Sequence, residues 1–119
     1  MSAVAGWLPW VVAAWIFLWG LWGIATSRNL VHLVVCVAVL QTSTYVVLAA
    51  IGWRDGGVAP VLREPSPPGT VVVDPVVQAL MLTDVVVEAT VAALLLSLAI
   101  RAHVQCGTLD PDRLREMRG

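Results

Sequence analysis

Three long apolar stretches with few or no charged residues constrain this chain more than any other feature of its sequence. Residues 7–26 and 30–53 contain no Asp, Glu, Lys or Arg, and residues 75–100 contain only Asp84 and Glu88. A helix that crosses the hydrocarbon core of a bilayer needs about 20 residues, at a rise of about 1.5 Å each. Because each stretch is long enough, the sequence predicts an all-α integral membrane protein with three transmembrane helices.

The composition agrees with a membrane protein and argues against several classes of function. Of the 119 residues, 59% are hydrophobic and 13% are charged, whereas soluble domains contain about 25% charged residues. The formal net charge of −1 gives no basic surface for nucleic acid. The sequence has no glycine-rich phosphate loop, nucleophile elbow or haem motif. We therefore expect a protein that uses no cofactor and is not an enzyme.

The apolar stretches define a single three-helix membrane subunit over residues 1–119. The predicted helices cover residues 5–26, 30–53 and 75–102, joined to an exposed loop at 54–74 and a tail at 103–119. The first stretch has no basic residue before it and is longer than the apolar region of a signal peptide, about 7–15 residues. It also contains five tryptophans, so we expect it to remain in the protein as a helix.

The arginine residues predict how the chain is oriented, because Lys and Arg near spans concentrate on the cytoplasmic side. One side holds the turn between the first two helices and the C-terminal tail, with Arg28, Arg101, Arg113, Arg115 and Arg118. The other side holds Arg54 and Arg63. We therefore expect a multi-pass protein of the cell (inner) membrane, with its N-terminus outside and its C-terminus in the cytoplasm. The tail itself is expected to fray or to rest on a partner.

Asp84 and Glu88 are the most unusual residues of the third predicted helix. Their four-residue spacing puts both carboxyl groups on one helix face, one turn apart. An ionisable group inside the membrane costs roughly 2.5–3.5 kcal/mol on insertion scales. Arg101 lies about 20 Å beyond Glu88 along the axis and is expected at the cytoplasmic surface. The acids therefore need a proton, a cation, water, or a basic residue from another subunit.

Two interpretations of these acids are open. Membrane-embedded acids usually mark an ion or proton path, and apolar surroundings favour the protonated form of a carboxyl group, which reversible exchange requires. A protonated carboxyl group bonded to a neighbouring helix would instead serve assembly alone. The first interpretation makes Glu88 the main pathway residue, with Asp84 beside it and nearer the outer interface.

Polar side chains near the acids are secondary candidates for the same pathway. The second predicted helix contains the segment "QTSTY", and hydroxyl groups flank the acids in the third. Hydroxyl groups in helices often bond to their own backbone, so a purely structural role is equally open for them. The secondary candidates are Gln41, Thr42, Ser43, Thr83, Thr90 and, nearer the cytoplasmic end, His32.

Thiol and imidazole groups occur together near the predicted cytoplasmic end. His32 and Cys36 are four residues apart, and His103 and Cys106 lie in the tail region. Such groups can bind zinc, but this spacing matches no recognised ligand set. We therefore predict no metal site, and the two cysteines indicate no disulfide framework.

Two segments, "SRNLVHLVV" and "DPVVQALMLTDVVVEATVAALLLSLAIR", resemble the C subunits of the multi-subunit Mrp-type cation/proton antiporters. That family is homologous to the K subunit of respiratory complex I and to equivalent subunits of energy-converting membrane hydrogenases. The start of the third helix, "DPVVQALMLT", is the most specific segment and favours the antiporter branch. The resemblance spans essentially the whole chain and implies a three-helix protein of about this length.

The resemblance also assigns positions to individual residues. Glu88 falls where the complex I protein has its third-helix glutamate, and Ala38 occupies the position of the second-helix glutamate, which antiporter C subunits also lack. Asp84 departs from the antiporter pattern, which has a small apolar residue after the Thr, and Glu88 is not the commonest antiporter choice. The resemblance thus implies an antiporter-type subunit with a more acidic third helix.

Together, the residues and the resemblance predict a small membrane subunit of a multi-subunit cation/proton antiporter or complex I-like ion-pumping complex. Glu88 and Asp84 would contribute to a proton or sodium path. The expected partners are other membrane subunits, including large antiporter-like ones, with lipid, H⁺ and Na⁺, and no nucleic acid. Two alternatives are a purely structural assembly subunit and an autonomous small transporter that works as a homo-oligomer.

Overall fold

Three long helices make up most of the structure. The computed structural model describes residues 2–61 and 67–114. Its helices are α1 (Ser2–Thr26), α2 (Leu30–Gly52) and α3 (Pro75–Cys106), followed by one 3-10 turn (Pro111–Arg113). Each of the three long helices is long and apolar enough to cross a membrane. The predicted all-α membrane protein with three spans is confirmed.

Two side chains start the second and third helices. The Oδ1 atom of Asn29 accepts a hydrogen bond from the backbone nitrogen of Val31 at 2.9 Å. The Oδ1 atom of Asp74 accepts one from the backbone nitrogen of Val76 at 2.8 Å. Because the first backbone N–H groups of a helix lack partners within the helix, these caps explain why α2 and α3 begin where they do.

α3 is longer than the sequence predicts. It ends at Cys106, beyond the predicted end at residue 102, because no residue between 102 and 106 interrupts a helix. Gly107 ends it with a φ of 67°, a left-handed conformation that favours glycine. The chain then turns back, and the backbone nitrogen of Leu30 donates to the carbonyl oxygen of Leu109 at 2.9 Å. Up to residue 114, the tail therefore rests on its own chain instead of fraying.

The helices lie side by side in one layer. α2 is central and packs against α1 on one side and α3 on the other, and the molecule measures 66 × 34 × 18 Å. We name its two ends by what they hold. The turn end holds residues 27–29 and 107–114, and the loop end holds the start of α1 and the segment between α2 and α3.

The segment between α2 and α3 has almost no regular structure where it is described. Val58 bonds to two residues near the start of α3, donating to the carbonyl of Val71 at 3.0 Å and accepting from the nitrogen of Val73 at 3.1 Å.

Three of the arginines that predict the orientation lie outside the described residues: Arg63, Arg115 and Arg118.

Small residues allow α1 and α2 to approach closely. Ala13 is 3% exposed, and a Cβ atom added to Gly20 would lie 2.8 Å from the Cβ atom of Leu40. A Cβ atom added to Gly23 would lie 2.5 Å from the sulfur of Cys36. Since helices in lipid gain stability mainly by close packing, these residues explain why α1 joins α2.

No other part of residues 2–61 and 67–114 covers the outer side of α1. Trp7 is 73% exposed and Trp22 is 66% exposed. The rings of Trp15 and Trp19 lie next to each other in a tilted arrangement, with their centroids 6.2 Å apart and their planes at 54°. Large aromatic side chains exposed along a membrane helix contact lipid or another protein. The tryptophan side of α1 thus has the composition of a surface that faces lipid or another protein.

Candidate functional site

Asp84 and Glu88 both face α2, and each accepts a hydrogen bond from a side chain of that helix. The Nε2 atom of Gln41 donates to Oδ1 of Asp84 at 2.8 Å. The hydroxyl group of Tyr45 donates to Oε2 of Glu88. All four side chains are partly buried. Two acids four residues apart on α3 are thus matched by two hydrogen-bond donors four residues apart on α2.

The two hydrogen bonds connect different levels of the antiparallel helix pair. Gly52 of α2 lies opposite Val77 of α3, since a Cβ atom on Gly52 would be 3.1 Å from Cγ1 of Val77. Seven residues back along α2 and seven forward along α3, Tyr45 is level with Asp84. Four residues further along each helix, Gln41 is level with Glu88. Each donor therefore reaches past the acid at its own level to bond the other one.

A small cavity lies beside this cluster, toward the turn end. Its volume is about 10 Å³, close to the least space that can hold one water molecule, about 10–15 Å³. Its polar lining comes from Gln41 and Glu88, and Ala38 contributes to the apolar lining. The alanine at the expected position of a second-helix glutamate thus leaves space next to the carboxyl group of Glu88.

In the part of the chain that the structure describes, the hydrogen-bond partners of both acids are neutral side chains. The ion pair found there joins Arg113 to Asp110 at 3.9 Å, in the tail. Among the described residues, every buried side-chain nitrogen or oxygen has a hydrogen-bond partner. The carboxyl groups of Asp84 and Glu88 therefore depend on an amide and a phenol, and on no cation from residues 2–61 or 67–114.

The structure separates the secondary candidates into two groups. Gln41 is part of the acid cluster. The hydroxyl groups of the others donate to backbone carbonyls of their own helices, one turn back: Thr42 to Ala38 at 3.0 Å, Ser43 to Leu40 at 2.5 Å, Thr83 to Ala79 at 3.0 Å and Thr90 to Val86 at 2.9 Å. Their hydroxyl groups are thus occupied locally rather than directed at the acids.

His32 lies at the turn end, apart from the acids. Its Nδ1 atom is 3.2 Å from the hydroxyl oxygen of Ser27 and 3.6 Å from the sulfur of Cys36. Cys36 in turn lies against Gly23 of α1, so this group belongs to the α1–α2 interface. Across the described residues, no three His, Cys, Asp or Glu side chains are grouped as metal ligands would be.

Tyr45 is the site residue that the sequence does not single out. It was visible only as the last residue of "QTSTY". Its signal is spacing, because Tyr45 follows Gln41 by four residues as Glu88 follows Asp84. Two facing helices with the same polar spacing can pair their side chains when their registers match.

The family of this chain follows from comparison with known proteins. Residues 8–119 match the family model described as NADH-ubiquinone/plastoquinone oxidoreductase chain 4L. The chain belongs to the chain 4L family. The match begins within α1 and continues through α2 and α3, so it is not confined to one segment.

Two relatives of this chain come from different assemblies. The C subunit of the Na⁺/H⁺ antiporter of Bacillus subtilis (strain 168) is 32% identical over 89 residues, which cover 75% of this chain and 76% of the relative. A chain in the structure of the membrane-bound sulfane sulfur reductase, an archaeal respiratory membrane complex, superposes with a TM-score of 0.77. It is 31% identical, and the match covers 87% of this chain and 94% of that chain.

These comparisons confirm the predicted resemblance to antiporter C subunits and complex I-like subunits. One relative is named as a subunit of an antiporter and the other forms part of a respiratory membrane complex. The present chain is therefore a multi-pass membrane protein of a family whose members work beside other membrane subunits.

Proposed function

We propose that this chain is a small subunit of a multi-subunit cation/proton antiporter or complex I-like ion-pumping complex, and that Glu88 and Asp84 lie on its proton or sodium path. One observation carries the proposal. Two carboxyl groups lie on one face of an apolar membrane helix, and neutral donors from the next helix hold them. Asp84 is nine residues from the start of α3 and Glu88 is 18 residues from its end, which supports a position at membrane depth for both.

The partners of the acids suit groups that change their protonation state. A phenol and a primary amide can each donate a hydrogen bond to a carboxylate and accept one from a carboxylic acid. Tyr45 can therefore satisfy Glu88 in both states by turning its hydroxyl hydrogen, and Gln41 can do the same for Asp84 by turning its amide. An arginine partner, which only donates, would stabilise the ionised state alone.

The geometry also supports transfer between the two acids. Their four-residue spacing corresponds to about 6 Å along the helix axis, and Gln41 is level with one acid while it bonds the other. A single water molecule in the cavity of about 10 Å³ would contact Gln41 and Glu88. We infer that a proton leaves the carboxylic acid of one residue and reaches the carboxylate of the other along water, and that the amide of Gln41 orients this water without carrying the proton itself.

The rest of the path belongs to other subunits. Three helices in one layer leave the α2–α3 cluster close to the surface of the chain, so neighbouring membrane subunits must enclose it. We infer that large antiporter-like subunits lie over this face, with lipid or a further subunit against the tryptophans of α1. The arginine distribution supports an N-terminus outside and a C-terminus in the cytoplasm, in the cell membrane. In this role the chain itself is a transport subunit and not a catalytic one.

The decisive test compares the wild type with Glu88→Gln in the intact complex, reconstituted in vesicles. The amide has the shape of the carboxyl group but cannot exchange a proton, so gradient-driven transport should fall about 100-fold or more while native gels show normal assembly. Thr90→Val is the matched control, because Thr90 bonds only to its own helix, and it should transport normally.

Two outcomes would contradict the proposed path. If Glu88→Gln assembles and transports normally, the glutamate is a neutral packing group. If Glu88→Gln fails to assemble, while a double variant with Tyr45→Phe and Glu88→Leu, which removes both polar groups of this pair, assembles and transports normally, the carboxyl group joins α2 to α3 and serves assembly only. Either result would favour a purely structural subunit.

A further inference from the structure

A second, much larger cavity lies between α2 and α3 at the turn end. Its volume is about 700 Å³, within the range of about 300–1,000 Å³ that is typical of ligand pockets. Both helices line it, and Leu114 of the tail contributes to its wall. The hydrogen bond between Leu109 and Leu30 keeps the tail at this position. The cavity is therefore built by three parts of the chain.

The lining of this cavity changes from apolar to polar along α3. Leu33 of α2 and Leu95 and Leu98 of α3 line its inner part, whereas Arg101 and Gln105 lie toward the end of α3. The last two are four residues apart and so share one face. α3 has 32 residues, about 48 Å of helix, against a hydrocarbon core of about 30 Å. Its last turns therefore reach the level of the lipid headgroups.

Arg101 carries the positive charge of this cavity. Its side chain is exposed. Within residues 2–61 and 67–114, the ion pair found joins Arg113 to Asp110, and no acidic side chain pairs with Arg101. A guanidinium group binds phosphate oxygens through two parallel hydrogen bonds. An apolar pocket with such a group at headgroup level matches the chemistry of an anionic phospholipid, and basic pockets between membrane helices bind such headgroups.

We propose that this cavity binds an anionic phospholipid, with its phosphate on Arg101 and an acyl chain against Leu98 and Leu95. Gln105 donates a further hydrogen bond to the headgroup. Leu95 also lines the small cavity beside Glu88, so the acyl chain closes the α2–α3 interface between the acids and the turn end. This binding site does not depend on whether the acids carry ions.

Photochemical crosslinking in the intact complex tests the proposal. A diazirine-bearing residue replaces Leu98, and the complex is reconstituted in vesicles of equal parts phosphatidylglycerol and phosphatidylcholine, irradiated and analysed by mass spectrometry. The expected adduct is with phosphatidylglycerol. Arg101→Gln should lower this adduct about tenfold, equivalent to about 1.4 kcal/mol. Arg28→Gln, at the same end but outside the cavity lining, should leave it unchanged.

Three results would overturn the proposal. An adduct with a peptide of another subunit would show that a protein segment fills the cavity. Equal labelling by both lipids, unaffected by Arg101→Gln, would show hydrocarbon contact without a headgroup site. A diazirine at position 33, across the cavity on α2, repeats the measurement from the other wall, and absence of phosphatidylglycerol adducts at both positions would exclude the lipid.

Discussion

The phenol hydroxyl group of Tyr45 donates a hydrogen bond to the carboxyl group of Glu88, across the interface between α2 and α3. The amide of Gln41 stands in the same relationship to Asp84, at 2.8 Å. Both donors can be removed without changing the charge of the chain. The role of each acid can therefore be tested through its partner as well as by direct replacement.

Tyr45→Phe should lower ion transport about tenfold while the complex assembles normally. Phenylalanine keeps the packing of the ring, but Glu88 loses the group that stabilises it in both protonation states. Transport in vesicles and native gels measure the two effects. Thr42→Val removes another α2 hydroxyl group, one that bonds only to its own helix, and should behave as wild type. Equal activity of Tyr45→Phe and wild type would show that the phenol is dispensable.

Gln41→Leu should destabilise the complex by about 1–3 kcal/mol, because it leaves the carboxyl group of Asp84 without its donor. Adding Asp84→Leu removes the unpaired group and should restore thermal stability but not transport. Gln78→Leu, at an exposed glutamine near the start of α3, is the control and should be neutral. If the double variant regains transport together with stability, Asp84 serves packing and is not on the path.

Gly20→Ala should weaken the contact of α1 with α2 by about 1–3 kcal/mol, since overpacking of a close contact forces the backbones apart. The added Cβ atom would meet the Cβ and Cα atoms of Leu40 at 2.8 and 2.9 Å. Gly6→Ala meets nothing within 4 Å and should have no effect. Thermal denaturation of the two variants side by side measures the difference, and equal stability would mean that α1 can move away without cost.

Orientation can be determined by thiol labelling in a background of Cys36→Ala and Cys106→Ala. Thr70→Cys, in the exposed segment before α3, should react with an impermeant maleimide added to intact cells, because the loop end is expected outside. Asp112→Cys, in the tail, should react only after the membrane is permeabilised. The reverse labelling pattern would place the C-terminus outside and invert the arginine argument.

Much of the fold follows from local features of the sequence. The apolar stretches are long enough to require spans, and Asn29 and Asp74 are capping side chains directly before two of them. α3 extends four residues beyond its predicted end, because residues 103–106 include polar side chains but no residue that breaks a helix. Helix termination there depends on the backbone conformation of Gly107 rather than on hydrophobicity.

The sequence predicts the two acids of the site but not their hydrogen-bond partners. The spacing of Asp84 and Glu88 predicts that they share a face, since that depends on one helix alone. Their partners depend on the register between two helices, which periodicity within either helix does not determine. Thr42 and Tyr45 are both polar neighbours on α2, yet one bonds its own backbone and the other an acid, so composition could not separate them.

The crossed arrangement of the two hydrogen bonds has a mechanical consequence. Gln41 and Glu88 are nearer the turn end, whereas Tyr45 and Asp84 are nearer the loop end. The two bonds therefore slant in opposite directions between the helices. Sliding α3 toward the loop end stretches the Gln41–Asp84 bond, and sliding it toward the turn end stretches the Tyr45–Glu88 bond. Loss of either bond therefore allows α3 to slide along α2 in one direction, while the remaining bond still resists sliding in the opposite direction.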